Sequence, residues 1–337
     1  MKISFTVCLL VIHSICTSQP INTDLKDFRF KRLNIESRIP DLYLSLLHLP
    51  AGLKKKNQLP VLFVHGASFP SALAFGFQMD NSSWMDDLSN QGYEVYALDH
   101  LGYGESDRYS EMLINENSGD PLGTGKEVAF DIEQAVEYIL ERTGQKKLCL
   151  IGHSWGATVS GYYASQHPDQ IEKLVLFAPL VEREGPVSWS KPDYGYIELT
   201  PEKRVEQFLT QLPKGHDSVL EDEVMEYWGQ TWLASDSSSI VENREYVRYP
   251  AGWKKDLYDC WNGDCFFVPG RVLAPTLVIR GEWDTSFSWD DGRRLFENLD
   301  EAALKKYVVI EKSTHVIHLE KPRKQLYNEV QLFLSEK

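Results

Sequence analysis

Gly152-His153-Ser154-Trp155-Gly156 is the stretch that most restricts what this chain can fold into. It follows the apolar run Leu148-Cys149-Leu150-Ile151 and precedes a helix-like segment from Ala157 to Gln166. A Gly-x-Ser-x-Gly between a strand and a helix marks a strained turn that lifts the serine hydroxyl above the sheet edge. The glycines are required because the crossing chains leave no room for a Cβ. The alternative is an N-cap serine at an ordinary turn, and the rest of the chain decides between the two.

An exposed serine is inert as a nucleophile unless a histidine takes its proton and a carboxylate orients that histidine. Downstream, Thr276-Leu277-Val278-Ile279-Arg280 reads as a strand and leads into Gly281-Glu282-Trp283-Asp284. Tyr307-Val308-Val309-Ile310 reads as another and leads to Glu311-Lys312-Ser313-Thr314-His315. Asp284 and His315 thus fall just past the carboxyl ends of strands, and they are the expected partners of Ser154. Asp290 and Asp291 compete with Asp284, but their surroundings predict the solvated first turn of a surface helix. His318 lies three residues after His315; with no third ligand cluster in sight it is expected to be a packing residue rather than half of a metal pair. His48, His167 and His216 have no partner motif and default to structure.

A serine mechanism also needs two backbone N–H donors for the oxyanion, one from the residue after the nucleophile. Trp155 supplies that one. Val61-Leu62-Phe63-Val64 is continuous apolar chain, as in a strand buried on both faces, and it ends in His65-Gly66-Ala67-Ser68. The Ala67 N–H is the natural second donor, with His65 pinning the loop.

These segments, together with Asp99-x-x-Gly102-x-Gly104-x-Ser106 and His315-Val316-Ile317-His318-Leu319-Glu320-Lys321-Pro322, resemble the α/β-hydrolase superfamily. The resemblance covers roughly Pro60 to Val181 and Ala274 to the C-terminus. It implies a doubly wound, mostly parallel sheet, a Ser154–Asp284–His315 triad, and no cofactor or metal. One position departs from the pattern: the residue before the loop histidine is often glycine and here is Thr314. Haloalkane dehalogenases and epoxide hydrolases carry aspartate at the elbow, which Ser154 argues against. An aminopeptidase, a cofactor-free haloperoxidase, a carbon–carbon hydrolase and a non-catalytic ligand receptor on the same scaffold stay open. Gly102-x-Gly104 is no dinucleotide fingerprint, since Asp107 occupies the third glycine position.

With 337 residues the chain suits one large α/β domain carrying an insertion. Its net charge of −14 disfavours nucleic acid and anionic membrane surfaces as partners. Residues 1–18 read as a signal peptide, with Lys2 as the charged region, Ile3 to Ile15 apolar, and Cys16-Thr17-Ser18 suited to cleavage. Export, secreted or periplasmic, is the expected address, without stable membrane insertion. Cys149 is expected to be a buried free thiol. Cys260 and Cys265 frame Trp261-Asn262-Gly263-Asp264, and Asn-Gly predicts a hairpin that would bring the two thiols within disulfide reach.

The expected organisation is a core of residues 19–181 and 274–337 with an inserted, mainly helical lid over 182–273. Strand–helix alternation stops in that insertion, which holds five of the nine tryptophans: Trp189, Trp228, Trp232, Trp253 and Trp261. Helical patterns occur at Pro201 to Leu212 and Val219 to Trp232. Trp228 and Trp232 are the expected aromatic walls of a pocket for a small to medium, largely apolar acyl substrate.

Overall fold

The computed structural model describes residues 29–52, 58–184 and 186–336; the expected leader at 1–18 lies outside them. The described residues form ten strands: β1 (Lys31–Glu36), β2 (Tyr43–Leu49), β3 (Val61–Val64), β4 (Val95–Asp99), β5 (Leu148–His153), β6 (Ile171–Phe177), β7 (Tyr196–Leu199), β8 (Val247–Pro250), β9 (Thr276–Gly281) and β10 (Lys305–Ile310). Eight of them form one sheet in the order β1-β2-β4-β3-β5-β6-β9-β10. The β1/β2 and β2/β4 pairs are antiparallel, and every other neighbour in this sheet is parallel.

Position in the sheet explains the strand sequences. Every residue of β3, β4, β5 and β9 is buried, because helices cover both faces of a parallel sheet and leave no face for polar side chains. At one edge β1 alternates between buried and exposed positions, and at the other edge β10 is half-buried up to its last residue, the buried Ile310. Each fully buried Val, Leu or Ile along the centre contributes about 1.5–3 kcal/mol through loss of contact with water. Strand β5, which leads into Ser154, sits between β3 and β6, so the turn at its end rests on the well-buried centre of the sheet.

Helices Gly125–Thr143 and Trp155–Gln166 flank the centre of the sheet. The first opens with a reciprocal cap between Thr124 and Glu127 and closes on Gly144 at φ 68°, a left-handed position at which glycine carries no steric penalty. Helix Trp289–Glu297 connects β9 to β10, and helix Arg323–Ser335 ends the described chain.

Residues 182–273 intervene between sheet neighbours β6 and β9. They contain helices Pro201–Leu209, Asp222–Ala234, Ser237–Val241 and Gly252–Trp261. They also contain a feature absent from the sequence reading, the two-stranded antiparallel sheet β7/β8. The expected Cys260–Cys265 hairpin does not form. Cys260 belongs instead to the last turn of helix Gly252–Trp261, and Asn262-Gly263, with Gly263 at φ 81°, ends that helix. The same left-handed preference that suits Asn-Gly to a hairpin suits it to a helix C-terminus. The two cysteines are nonetheless bridged, with Cα atoms 3.9 Å apart, and Cys149 is free and buried in β5.

No described helix is long and apolar enough to cross a membrane.

Candidate active site

The backbone at Ser154 has φ 55° and ψ −129°, a region that costs on the order of 1–3 kcal/mol for a residue bearing a side chain. Two close approaches hold it there. A Cβ at Gly156 would lie 2.1 Å from the His65 carbonyl oxygen, and one at Gly152 would lie 2.5 Å from the Ala157 Cα. The Ser154 N–H donates to the Phe177 carbonyl of β6 at 2.8 Å, which locks the turn to the neighbouring strand.

The side chains that the sequence placed at three separate strand ends come together. His315 Nε2 lies 2.8 Å from Ser154 Oγ, and His315 Nδ1 lies 2.9 Å from Asp284 Oδ2. Asp284 is buried, and its Oδ1 accepts the backbone N–H groups of Ser286 and Phe287 at 2.9 Å each. These bonds fix the carboxylate, so Nδ1–H is the donor toward it and the Nε2 lone pair faces the serine hydroxyl. Asp290 is exposed on helix Trp289–Glu297. Asp291, expected in solvent, is instead buried: it caps that helix with Ser288 and pairs with Arg183 and Arg294.

Ala67 and Trp155 line the same cavity as Ser154. The Ala67 N–H has no acceptor among the described residues, and the Trp155 N–H belongs to a first helical turn, where no intrahelical acceptor exists. His65 holds the Ala67 loop: its Nδ1 bonds the Gly66 carbonyl at 2.7 Å while Nε2 accepts the His100 N–H. Burial keeps His65 well below the usual histidine range, so it is neutral, as this one-donor, one-acceptor role requires.

The loop after β10 is anchored by a residue that sequence reasoning passed over. Buried Glu320 accepts the Thr314 N–H at 3.0 Å and the Thr314 hydroxyl as well. Burial pushes its carboxyl up to about 7. The threonine found where glycine was expected thus provides a second bond to the loop's anchor. On the other side, Gln211 Oε1 accepts the His315 N–H at 3.2 Å while its amide donates to Ser286 Oγ at 3.0 Å. One side chain from the 182–273 stretch therefore spans the Asp284 and His315 loops. His153 Nε2 donates to the His315 carbonyl at 3.0 Å. His318 stacks against Phe69 and meets His153 edge-on, with burial lowering it to about 3. It is a neutral packing residue. Among the described residues no three His, Cys, Asp or Glu side chains converge as a metal-binding group.

The cavity over Ser154 measures about 340 Å³. From the 182–273 stretch its lining includes Arg204, Phe208, Gln211, Trp253 and Trp261. Trp228 and Trp232, the expected walls, are fully buried behind that lining. The reason is their indole N–H groups: Trp228 donates to the Leu73 carbonyl at 3.4 Å and Trp232 to the Ser68 carbonyl at 2.9 Å. Both sit on one face of helix Asp222–Ala234 that packs onto the core, a packing that periodicity alone could not distinguish from a pocket wall. On the far side of the cavity, buried Asp256 accepts both the Trp155 indole N–H at 2.7 Å and the Gly125 N–H at 2.6 Å. Burial raises its carboxyl to about 6.

Two outcomes follow from these anchors. Trp232→Phe keeps the ring but leaves the Ser68 carbonyl unpaired, a loss of about 1–3 kcal/mol in denaturant unfolding. For Glu320, the raised carboxyl means that the folded state keeps a proton the unfolded chain releases between about pH 4.5 and 7. Stability from this group therefore declines as pH rises through that window and is flat above it. Glu320→Gln, scanned by thermal unfolding, should lose that slope yet keep its acceptor for Thr314. Glu320→Ala should lose both the slope and the bonds to Thr314, and unfold at a lower temperature than Glu320→Gln.

The chain is similar to several known proteins. Bovine gastric triacylglycerol lipase is 26% identical over 165 residues, which is 47% of this chain and 40% of the lipase. Human lysosomal acid lipase/cholesteryl ester hydrolase is 25% identical over 157 residues, covering 43% of this chain and 36% of that protein. The chain thus matches less than half the length of either curated relative. A thioesterase domain from the curacin biosynthetic pathway superposes over 90% of this chain and 99% of its own, with a TM-score of 0.61 and 16% identity. A thermophilic esterase from Thermogutta terrifontis covers 90% and 98%, with a TM-score of 0.60 and 18% identity. Residues 60–322 match the family model described as the alpha/beta hydrolase fold, and this chain belongs to that family.

Proposed function

We propose that the chain is a serine hydrolase that cleaves ester or related acyl bonds of a small to medium, largely apolar substrate. The observation that carries this reading is the Ser154–His315–Asp284 row, at 2.8 and 2.9 Å, beneath a cavity lined by Ala67 and Trp155. The lipases and esterases among its relatives support an ester as the substrate bond.

In the proposed reaction, Ser154 Oγ bonds to the acyl carbon while His315 Nε2 takes the hydroxyl proton. The oxyanion is held by the Ala67 and Trp155 N–H groups. The bond to the alcohol oxygen then breaks, and His315 gives that oxygen its proton. Water attacks the acyl-enzyme, His315 takes one proton from it and returns it to Ser154, and the acid leaves. Asp284 holds the imidazole tautomer throughout. The 182–273 stretch acts as the lid over this cavity, and Phe69, Phe208, Trp253 and Trp261 supply its apolar walls.

Ser154→Ala and His315→Ala should each remove nearly all turnover of 4-nitrophenyl butyrate, with the double variant hardly worse than either single, because the groups act as a unit. Asp284→Asn should be heavily impaired and Asp290→Asn nearly normal. Labelling by a fluorophosphonate probe that persists in Ser154→Ala would overturn the assignment.

Export is proposed with it: intact-mass measurement from the native compartment should find a chain starting near Gln19 with the Cys260–Cys265 bridge formed. Retention of residues 1–18 with both thiols free would place the protein in a reducing compartment instead.

A further inference from the structure

Arg108, Arg183, Arg248 and Arg323 each meet a carboxylate: Asp236, Asp291, Glu198, and both Asp80 and Glu221, respectively. Arg204 has no ion pair among the described residues. Arg280 also lacks one, but its Nη2 donates to the Asp284 carbonyl at 2.6 Å; Arg204 differs in facing the cavity over Ser154. Its guanidinium donates one hydrogen bond, from Nη1 to Gln207 Oε1 at 2.8 Å, and its Nε is buried with no partner. The group is held flat against aromatic rings, 4.7 Å from the centre of Phe208 and 5.6 Å from that of Phe69. Phe69 follows directly on the Ala67-Ser68 loop, so this side chain is fixed beside the proposed oxyanion donors.

Its setting is the cavity over Ser154. Among the described residues lining that cavity there is no aspartate, glutamate or lysine, and Arg204 is the one arginine. This is notable in a chain with 49 acidic and 35 basic residues, because an acidic neighbour was statistically available. Partly burying a guanidinium without a counter-charge carries a desolvation cost, which is offset when an anion enters. The aromatic faces supply part of the compensation, about 0.5–2 kcal/mol, while leaving the other N–H donors of the fork unspent.

Resting on the serine-hydrolase reading, we propose that the substrate is an ester bearing a carboxylate, and that Arg204 binds that carboxylate within the cavity over Ser154. The overall negative charge of the protein repels such a substrate at long range; a single guanidinium held against aromatic rings acts at contact distance, where its effect is larger than that of screened surface charges. Arg204 is therefore a specificity residue, and it takes no part in moving protons at Ser154.

The test compares three esters of similar size: neutral 4-nitrophenyl butyrate, 4-nitrophenyl hemiglutarate with its carboxylate on the acyl side, and 4-(butyryloxy)benzoate with its carboxylate on the alcohol side. Expected is that Arg204→Met lowers kcat/KM for one of the two anionic esters by at least about tenfold more than for the butyrate, mainly through KM. Arg204→Lys should restore part of the difference, since it keeps the charge and loses the fork. Which anionic ester responds identifies the side of the scissile bond that faces Arg204. If all three esters fall together in Arg204→Met, or none changes, the arginine is a structural partner of Phe69 and Phe208 and the proposal is overturned. If the wild-type protein cleaves no ester and Ser154 takes no fluorophosphonate, the hydrolase reading fails by itself. Calorimetric binding of monobutyl glutarate to wild type and Arg204→Met then decides the carboxylate site alone: weaker binding to the variant upholds it, and equal binding or none removes it.

Discussion

Everything at this site depends on one unfavourable backbone conformation. Ser154 sits at a positive φ that a side-chain-bearing residue adopts only under constraint, and the constraint comes from both flanks. Strand β5 is fully buried between β3 and β6, and the helix that starts at Trp155 packs so tightly across it that Gly152 and Gly156 have no space for a Cβ. A strained turn at a sheet edge or on a mobile loop would relax. Here relaxation would require moving the central strand, so the packing of the core keeps the serine hydroxyl raised.

The parts of the molecule that were legible in the sequence are those where one physical requirement dominates. The elbow glycines answer to steric exclusion, the runs in β3, β5 and β9 to burial on both faces, and Asp284 and His315 to the ends of such strands. The failures lie where two requirements share one signature. Asn262-Gly263 satisfies a hairpin and a helix end equally well, and long-range packing of helix Gly252–Trp261 chose the second. A tryptophan at helical spacing serves a core or a pocket with the same periodicity, and the indole bonds of Trp228 and Trp232 to carbonyls of the core decided for the core. Glu320, Gln211 and Arg204 had no local signature at all. Their roles arise from contacts with residues distant in sequence, such as Gln211 with His315.

The hydrogen bonds that hold His315 form a hierarchy. The His315 ring is held by Asp284, Asp284 by two backbone N–H groups, and the His315 backbone by Gln211 and His153. Each layer has its own buried acceptor, so the geometry at the serine does not rely on one contact. Carboxyls that burial has raised, Glu320 and Asp256, serve as acceptors for loop and helix ends. In that role a neutral carboxyl works nearly as well as an ionised one, which makes its burial tolerable.

The two bonds accepted by Asp256 have a consequence for how the cavity can breathe. Helix Gly252–Trp261 carries both Asp256 and the cavity-lining Trp253, Leu257 and Trp261. Lifting it would strand the Trp155 indole N–H and the Gly125 N–H in an apolar interior, at about 1–3 kcal/mol for each orphaned donor. The opposite side, around helix Pro201–Leu209, is held chiefly by ring contacts such as Phe208 on Trp228 and Phe69, which tolerate sliding because they have little directional demand. The cavity therefore has a stiff wall and a compliant one. Its thermal fluctuations should widen it from the Phe208 side while Trp155, and with it the geometry of the elbow, stays still.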